Sequence, residues 1–135
     1  EGLDALPPGS RLGHVGGDDF VCVCPGTVSS LALESICRLF DERKLVFFAP
    51  EERTAGCYEA ENRRGEKCVV PLVTLSLAAI ESDRIAPETH PGKIAEIAAS
   101  LKHAVKQKTS CEGRSAWMFE RRRTDPETMA VENAS

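Results

Sequence analysis

Aromatic residues are scarce. Phe, Tyr and Trp together make up 5% of the 135 residues, with a single Trp and a single Tyr. A core must therefore be assembled mainly from Leu, Val, Ile and Ala, without the large rings that dominate many interiors. A basic surplus is missing as well: 17 Lys and Arg stand against 21 Asp and Glu, a net charge of −4. That argues against a general nucleic-acid binder, which needs a positive surface to displace counterions. No apolar run approaches the roughly 20 residues of a membrane-spanning helix, and no signal peptide opens the chain. The expectation is a cytoplasmic protein, or the cytoplasmic part of a larger one, with no membrane contact by this segment. Cys-x-x-Cys pairs, internal repeats and low-complexity tracts are also absent.

What is present fits one domain with a real core: 41% of residues are hydrophobic and 28% charged, ordinary values for a globular chain. The six cysteines are Cys22, Cys24, Cys37, Cys57, Cys68 and Cys111. Cys22 and Cys24, two apart on a predicted strand, share one face, and Cys37 falls on the apolar face of a predicted helix. They are read as small buried hydrophobes. A zinc site with His14, His90 or His103 has no recognisable ligand spacing.

Along the chain, residues 1–10 contain Pro7-Pro8-Gly9 and read as an extended lead-in. Arg11–Val15 and Phe20–Cys24 read as two strands around Gly16-Gly17-Asp18-Asp19. The second strand is apolar on both faces, which predicts cover on both sides. Ser29 to Arg43 reads as a helix, with Thr27, Ser29 and Ser30 as candidate caps and Leu33, Ile36, Cys37 and Phe40 at helical spacing. A polar insert over about 49–67 reads as a loop or small hairpin turning at Asn62-Arg63-Arg64-Gly65. Cys68–Ile80 is the most strand-like segment, with Pro71 near its start. A second amphipathic helix, with Thr89 as possible cap and Pro91 in its first turn, should end near Lys108. Ser115–Phe119 is a final strand, and residues 124–135 read as a flexible charged tail.

The glycine turn carries the chemistry. Two glycines let a backbone take positive φ or approach another molecule without a Cβ in the way. The carboxylates of Asp18 and Asp19 follow at once. Backbone N–H groups beside hard oxygen ligands suit a phosphate bound with Mg²⁺. The same residues taken alone read rather as a plain turn with a solvated acidic tip, since Gly-Gly and Gly-Asp are common turn chemistry.

Gly13-His14-Val15-Gly16-Gly17-Asp18-Asp19-Phe20 resembles the signature hairpin of the GGDEF family, the diguanylate cyclase domains of bacterial cyclic-di-GMP signalling. Three further blocks extend the likeness in order: Pro71–Ala79, Ile97–Lys106 and Gly113-Arg114-Ser115. The Asn62–Gly65 turn and Phe119-Glu120-Arg121-Arg122 resemble a subgroup with a longer insert. The resemblance implies an α/β (α+β sandwich), nucleotide-cyclase-like or ferredoxin-like fold with an antiparallel-containing sheet, and a partial GGDEF domain over residues 11–123. The family's first strand and helices, which carry a metal ligand and guanine-reading residues, find no counterpart in residues 1–10, so an open seam in the sheet is expected.

The same likeness implies the chemistry. Two domains, each holding one GTP, would form a homodimer that joins two GTP into cyclic di-GMP, with other domains of a larger signalling protein in control. Asp18 and Asp19 would be catalytic metal-site carboxylates for Mg²⁺. Gly16 and Gly17 would admit the phosphates, and Lys106 and Arg114 would bind phosphate oxygens, Arg through its planar fork and Lys as a point charge. Two positions depart from the pattern. Asp19 stands where the family has Glu, one methylene longer, and the product-inhibition motif is missing, with Pro8 and Arg11 in its places. The chain alone is therefore expected to be inactive. The alternatives are a degenerate domain that binds GTP or dimerises without turnover, and an inert scaffold.

Overall fold

The computed structural model describes residues 2–123. The tail expected over 124–135 lies outside the described residues. The described residues form a mixed α/β structure with three two-stranded sheets, two antiparallel and one parallel, and no barrel among them.

The strands of the glycine hairpin are β1 (Arg11–Gly16) and β2 (Asp19–Val23), close to their predicted bounds. Helix α1 (Ser30–Arg43) begins where its start signal lies: the Ser29 side chain accepts from the Ala32 amide at 3.1 Å. Its Ala32, Leu33 and Cys37 are buried. The insert is more regular than expected. A short helix α2 (Pro50–Ala55) is started by Pro50 and by Glu52, whose Oε2 accepts from the Ala49 amide at 2.7 Å. It ends at Gly56, whose φ of 70° is left-handed. Strands β3 (Cys57–Glu61) and β4 (Lys67–Pro71) then form the hairpin, and Asn62 Oδ1 caps its turn by accepting from the Arg64 and Glu66 amides.

The expected single strand over Cys68–Ile80 is two elements. Pro71 ends β4, and after a non-repetitive link β5 (Ser76–Ala79) takes a different partner, the parallel strand β6 (Ala116–Phe119). Between β5 and β6 runs helix α3 (Pro91–Glu112), so the three make a β–α–β crossover. α3 packs on β5 and β6, and α1 packs on β6. The core lies at this junction, where Leu33, Cys37, Leu101, Val105 and Ala116 are buried.

Four expectations are corrected. α3 is capped by His90, whose Nδ1 accepts from the Gly92 amide at 3.0 Å, rather than by Thr89. It runs past Lys108 to Glu112, because Thr109 and Ser110 donate their hydroxyls to the Lys106 carbonyl at 2.9 Å each and so sit within the helix without breaking it. The lead-in is not wholly extended: Gly2–Ala5 forms a 3₁₀ turn that packs on α1. The cover predicted over both faces of β2 is not there. Leu12, Val15, Phe20, Val21 and Val23 are all exposed, because among the described residues no helix or other strand packs extensively on the faces of this hairpin. Among the described residues no helix is long and apolar enough to cross a membrane.

Candidate functional site

The hairpin tip is shaped by its glycines. The register slips between His14 and Gly16, leaving Val15 as an extra residue, and pairing resumes at Gly16↔Asp19. Gly17 then sits at φ 57°, while Asp18 has negative φ. Glycine at the first of two central positions is the demand of a II′-type hairpin, whose twist matches the flanking strands. A Cβ at Gly16 or Gly17 would meet nothing within 4 Å, so the space above the turn is open. His14 braces the tip from inside. Its Nε2 lies 2.9 Å from the Gly17 carbonyl, and its ring stacks on Phe20 with centroids 4.8 Å apart. It is an exposed strand residue that holds the turn.

The two carboxylates diverge in role. Asp18 stands exposed at the tip. Asp19 opens β2 and faces α3, where Lys102 Nζ donates to both of its oxygens at 2.6 and 2.7 Å. That hydrogen bond holds the Asp19 carboxyl below its ordinary pKa; slight desolvation opposes it, and the charges of Lys102 and Lys106 add to the lowering. Lys106 follows Lys102 by one helical turn, on the same face, and is exposed. The structure thus gathers Gly16, Gly17, Asp18, Asp19 and Lys106 in one region and adds Lys102, which was not among the site residues expected from the sequence. The only signal for it was the four-residue spacing from Lys106.

Arg114 is elsewhere. It follows the C-cap Gly113, about 16 Å along the helix axis from Lys102, and its Nε donates to Glu112 Oε2 at 2.9 Å. It lines a shallow cleft with Glu34, Cys37, Arg38 and Asp41. A phosphate role for Arg114 beside Asp18 and Asp19 does not follow from this placement.

No family model, curated protein or solved structure matches the chain. The family likeness therefore rests on the residues quoted above.

The donor set decides what ion the tip suits. Among the described residues no three His, Cys, Asp or Glu side chains come together as metal ligands. Asp19 is engaged by the Lys102 ammonium, so of the two signature carboxylates Asp18 is the more open to an ion. Mg²⁺ is commonly held by one or two carboxylates plus substrate phosphates and waters. These residues fit Mg²⁺ in that mode, as an ion brought in with a nucleotide. The three histidines serve separate local purposes: His14 braces the turn, His90 caps α3, and His103 lies 3.2 Å from Gln107.

Proposed function

We propose that this chain is part of a GGDEF-type domain in a cyclic-di-GMP signalling protein, and that it acts as a GTP-binding or dimerising regulatory module without turnover. The observation that carries the second half is the bidentate Lys102–Asp19 contact. Joining two nucleotides by metal-assisted phosphoryl transfer needs carboxylates free to hold ions that bridge attacking and leaving oxygens. Here one of the two signature carboxylates is engaged by a lysine and drawn toward α3.

Binding asks for less. The open turn offers backbone amides to phosphate oxygens. Asp18 is available to an Mg²⁺ ion carried by the triphosphate. Lys102 and Lys106 present two positive charges on one helical face. An exposed ion pair is weak, typically worth about 0–1 kcal/mol, so a multiply charged triphosphate can draw Lys102 from Asp19. Mg²⁺ would neutralise the triphosphate in that complex; the side chains orient it and supply the remaining counter-charge.

The test is calorimetric titration of the chain with GTP and Mg²⁺, alongside product analysis. The expected result is binding that weakens about tenfold in Lys102→Ala, the loss of one charged hydrogen-bond donor, with no cyclic di-GMP formed. Formation of cyclic di-GMP that stops in Asp18→Ala would establish the catalytic reading instead. Absence of any GTP binding would leave dimerisation as the one regulatory role, and a monomer at all concentrations would remove that as well.

A further inference from the structure

Cys22 lies in β2 and Cys24 follows directly after its last residue, Val23; in extended backbone the two share the side that Phe20 takes. Their sulfurs stand 3.7 Å from each other. Cys22 is exposed and Cys24 half-buried, so neither thiol is a core residue. This differs from Cys37, which is buried.

Two fates for such a pair can be compared by geometry. Residues two apart on an extended strand are separated by about 6.6 Å, with their side chains parallel. A disulfide would have to draw these sulfurs from 3.7 Å to about 2.0 Å. A bridging ion has longer reach. With metal–sulfur bonds of about 2.3 Å and sulfurs 3.7 Å apart, the S–metal–S angle is about 107°, close to tetrahedral. A linear two-thiolate ion needs its sulfurs two bond lengths apart, wider than they stand.

We propose that Cys22 and Cys24 form a bidentate chelate for a thiophilic divalent cation of tetrahedral preference, of the Zn²⁺ and Cd²⁺ class, with two positions left to water or an incoming ligand. Binding exchanges the cation for the two thiol protons, which pass to solvent, and no electron is transferred. The site lies on the exposed hairpin, and it uses none of the residues assigned to the nucleotide.

The full chain, reduced and kept free of oxygen, is titrated with Cd²⁺ while the ultraviolet thiolate-to-metal charge-transfer absorption is followed. One Cd²⁺ per chain is expected, with Zn²⁺ competing for it. Cys22→Ser and Cys24→Ser should each weaken binding by at least about tenfold, since ligand loss exceeds the 10- to 100-fold typical of outer partners. Cys57→Ser and Cys111→Ser should leave it unchanged, and far-ultraviolet circular dichroism should be the same for all four. Absorption that persists in the Cys22→Ser/Cys24→Ser double variant, or that vanishes in Cys111→Ser, overturns the assignment. So does a stoichiometry of one Cd²⁺ to two chains, which would make the ion a dimer bridge rather than an open chelate.

Discussion

Asp41 is the residue whose loss the fold should feel most for its size. It lies near the C-terminal end of α1, and four hydrogen bonds converge around it and its partner. Lys44 Nζ donates to Oδ1 at 2.7 Å; the Ser115 hydroxyl donates to the same oxygen at 2.7 Å; the Ser115 amide donates to Oδ2 at 2.9 Å. Ser115 Oγ in turn accepts from the Leu75 amide at 2.8 Å, so one carboxylate ties α1 to the strand ends of β5 and β6.

Asp41→Asn keeps the shape and removes the charge. Lys44, only 8% exposed, then loses its counter-ion. The amide NH₂ also faces donors where an acceptor is needed. Removing one partner of a buried pair costs about 3–5 kcal/mol. The Asp41 side chain is 26% exposed, so water offsets part of this, and about 3 kcal/mol is the expected loss. That is a large share of a typical 5–15 kcal/mol. With a urea m-value of about 2 kcal/mol/M, the midpoint should fall by about 1.5 M.

Trp117, the single tryptophan, reports the transition from β6, where its Nε1 donates to Glu34 at 2.8 Å. Lys44→Met should move the midpoint far less, because Asp41 keeps its Ser115 bonds and the butyl stem is replaced by an apolar one. Burial alone would raise the Asp41 pKa; the bonds from Lys44 and Ser115 outweigh it and bring it below the ordinary value. The ionised form therefore contributes above the unfolded pKa of about 3.9 and is lost as pH falls through the lower folded value. The gap between wild type and Asp41→Asn should close in that acid range. Equal small shifts for both variants, constant from pH 7 to acid, would refute the reasoning.

Other outcomes follow from single residues. Arg122 donates twice to Glu120 through Nε and Nη2, and with desolvation opposing, these bonds hold the Glu120 carboxyl at about 2. Its ionised form should stabilise the fold above the unfolded pKa and cease to as pH falls through about 2. Carboxyl NMR of Arg122→Ala should show the midpoint rise toward the ordinary range, and an unmoved midpoint would discount the pair. Gly17→Ala should lower stability by about 1–2 kcal/mol through φ strain alone, since φ is 57° and no neighbour is met; a neutral result by urea titration would mean that the turn relaxes. In Lys102→Met the Asp19 carboxyl should titrate higher than in wild type, because its chief hydrogen bond is gone. The same NMR titration would expose a contact absent in solution by showing no change.

What the sequence disclosed was local. Ser29 and the spacing of Leu33 and Cys37 place α1 because a cap and an apolar stripe are both written within a few residues. The Gly17 turn and the Asn62 turn are legible for the same reason. Partnership is not local. The alternation over Cys68–Ile80 records which side chains share a face and not which strand lies alongside, so the change from β3 to β6 as neighbour leaves only Pro71 as a trace. Thr109 and Ser110 resemble a helix stop until their hydroxyls are seen on the Lys106 carbonyl. The apolar faces of β2 could be read, but whether anything covers them could not. In the site, Asp18 and Asp19 announce themselves, while the choice of Lys102 over Lys106 as the partner of Asp19 depends on how α3 lies against a hairpin 83 positions away.

That choice also separates the two proposals made for the hairpin. Lys102 and Asp19 sit where β2 begins, at the glycine tip; Cys22 and Cys24 sit toward its other end. On a strand rising about 3.4 Å per residue, Asp19 and Cys24 are about 17 Å apart. Effects of substitutions at such distances are usually independent. Lys102→Met should therefore weaken GTP binding and leave Cd²⁺ uptake untouched, and Cys22→Ser should do the reverse. A variant that abolishes both would mean that the hairpin itself has come apart, and its circular dichroism would show the loss. If Lys102→Met alone removes Cd²⁺ binding with the fold intact, the dithiol is not the metal site.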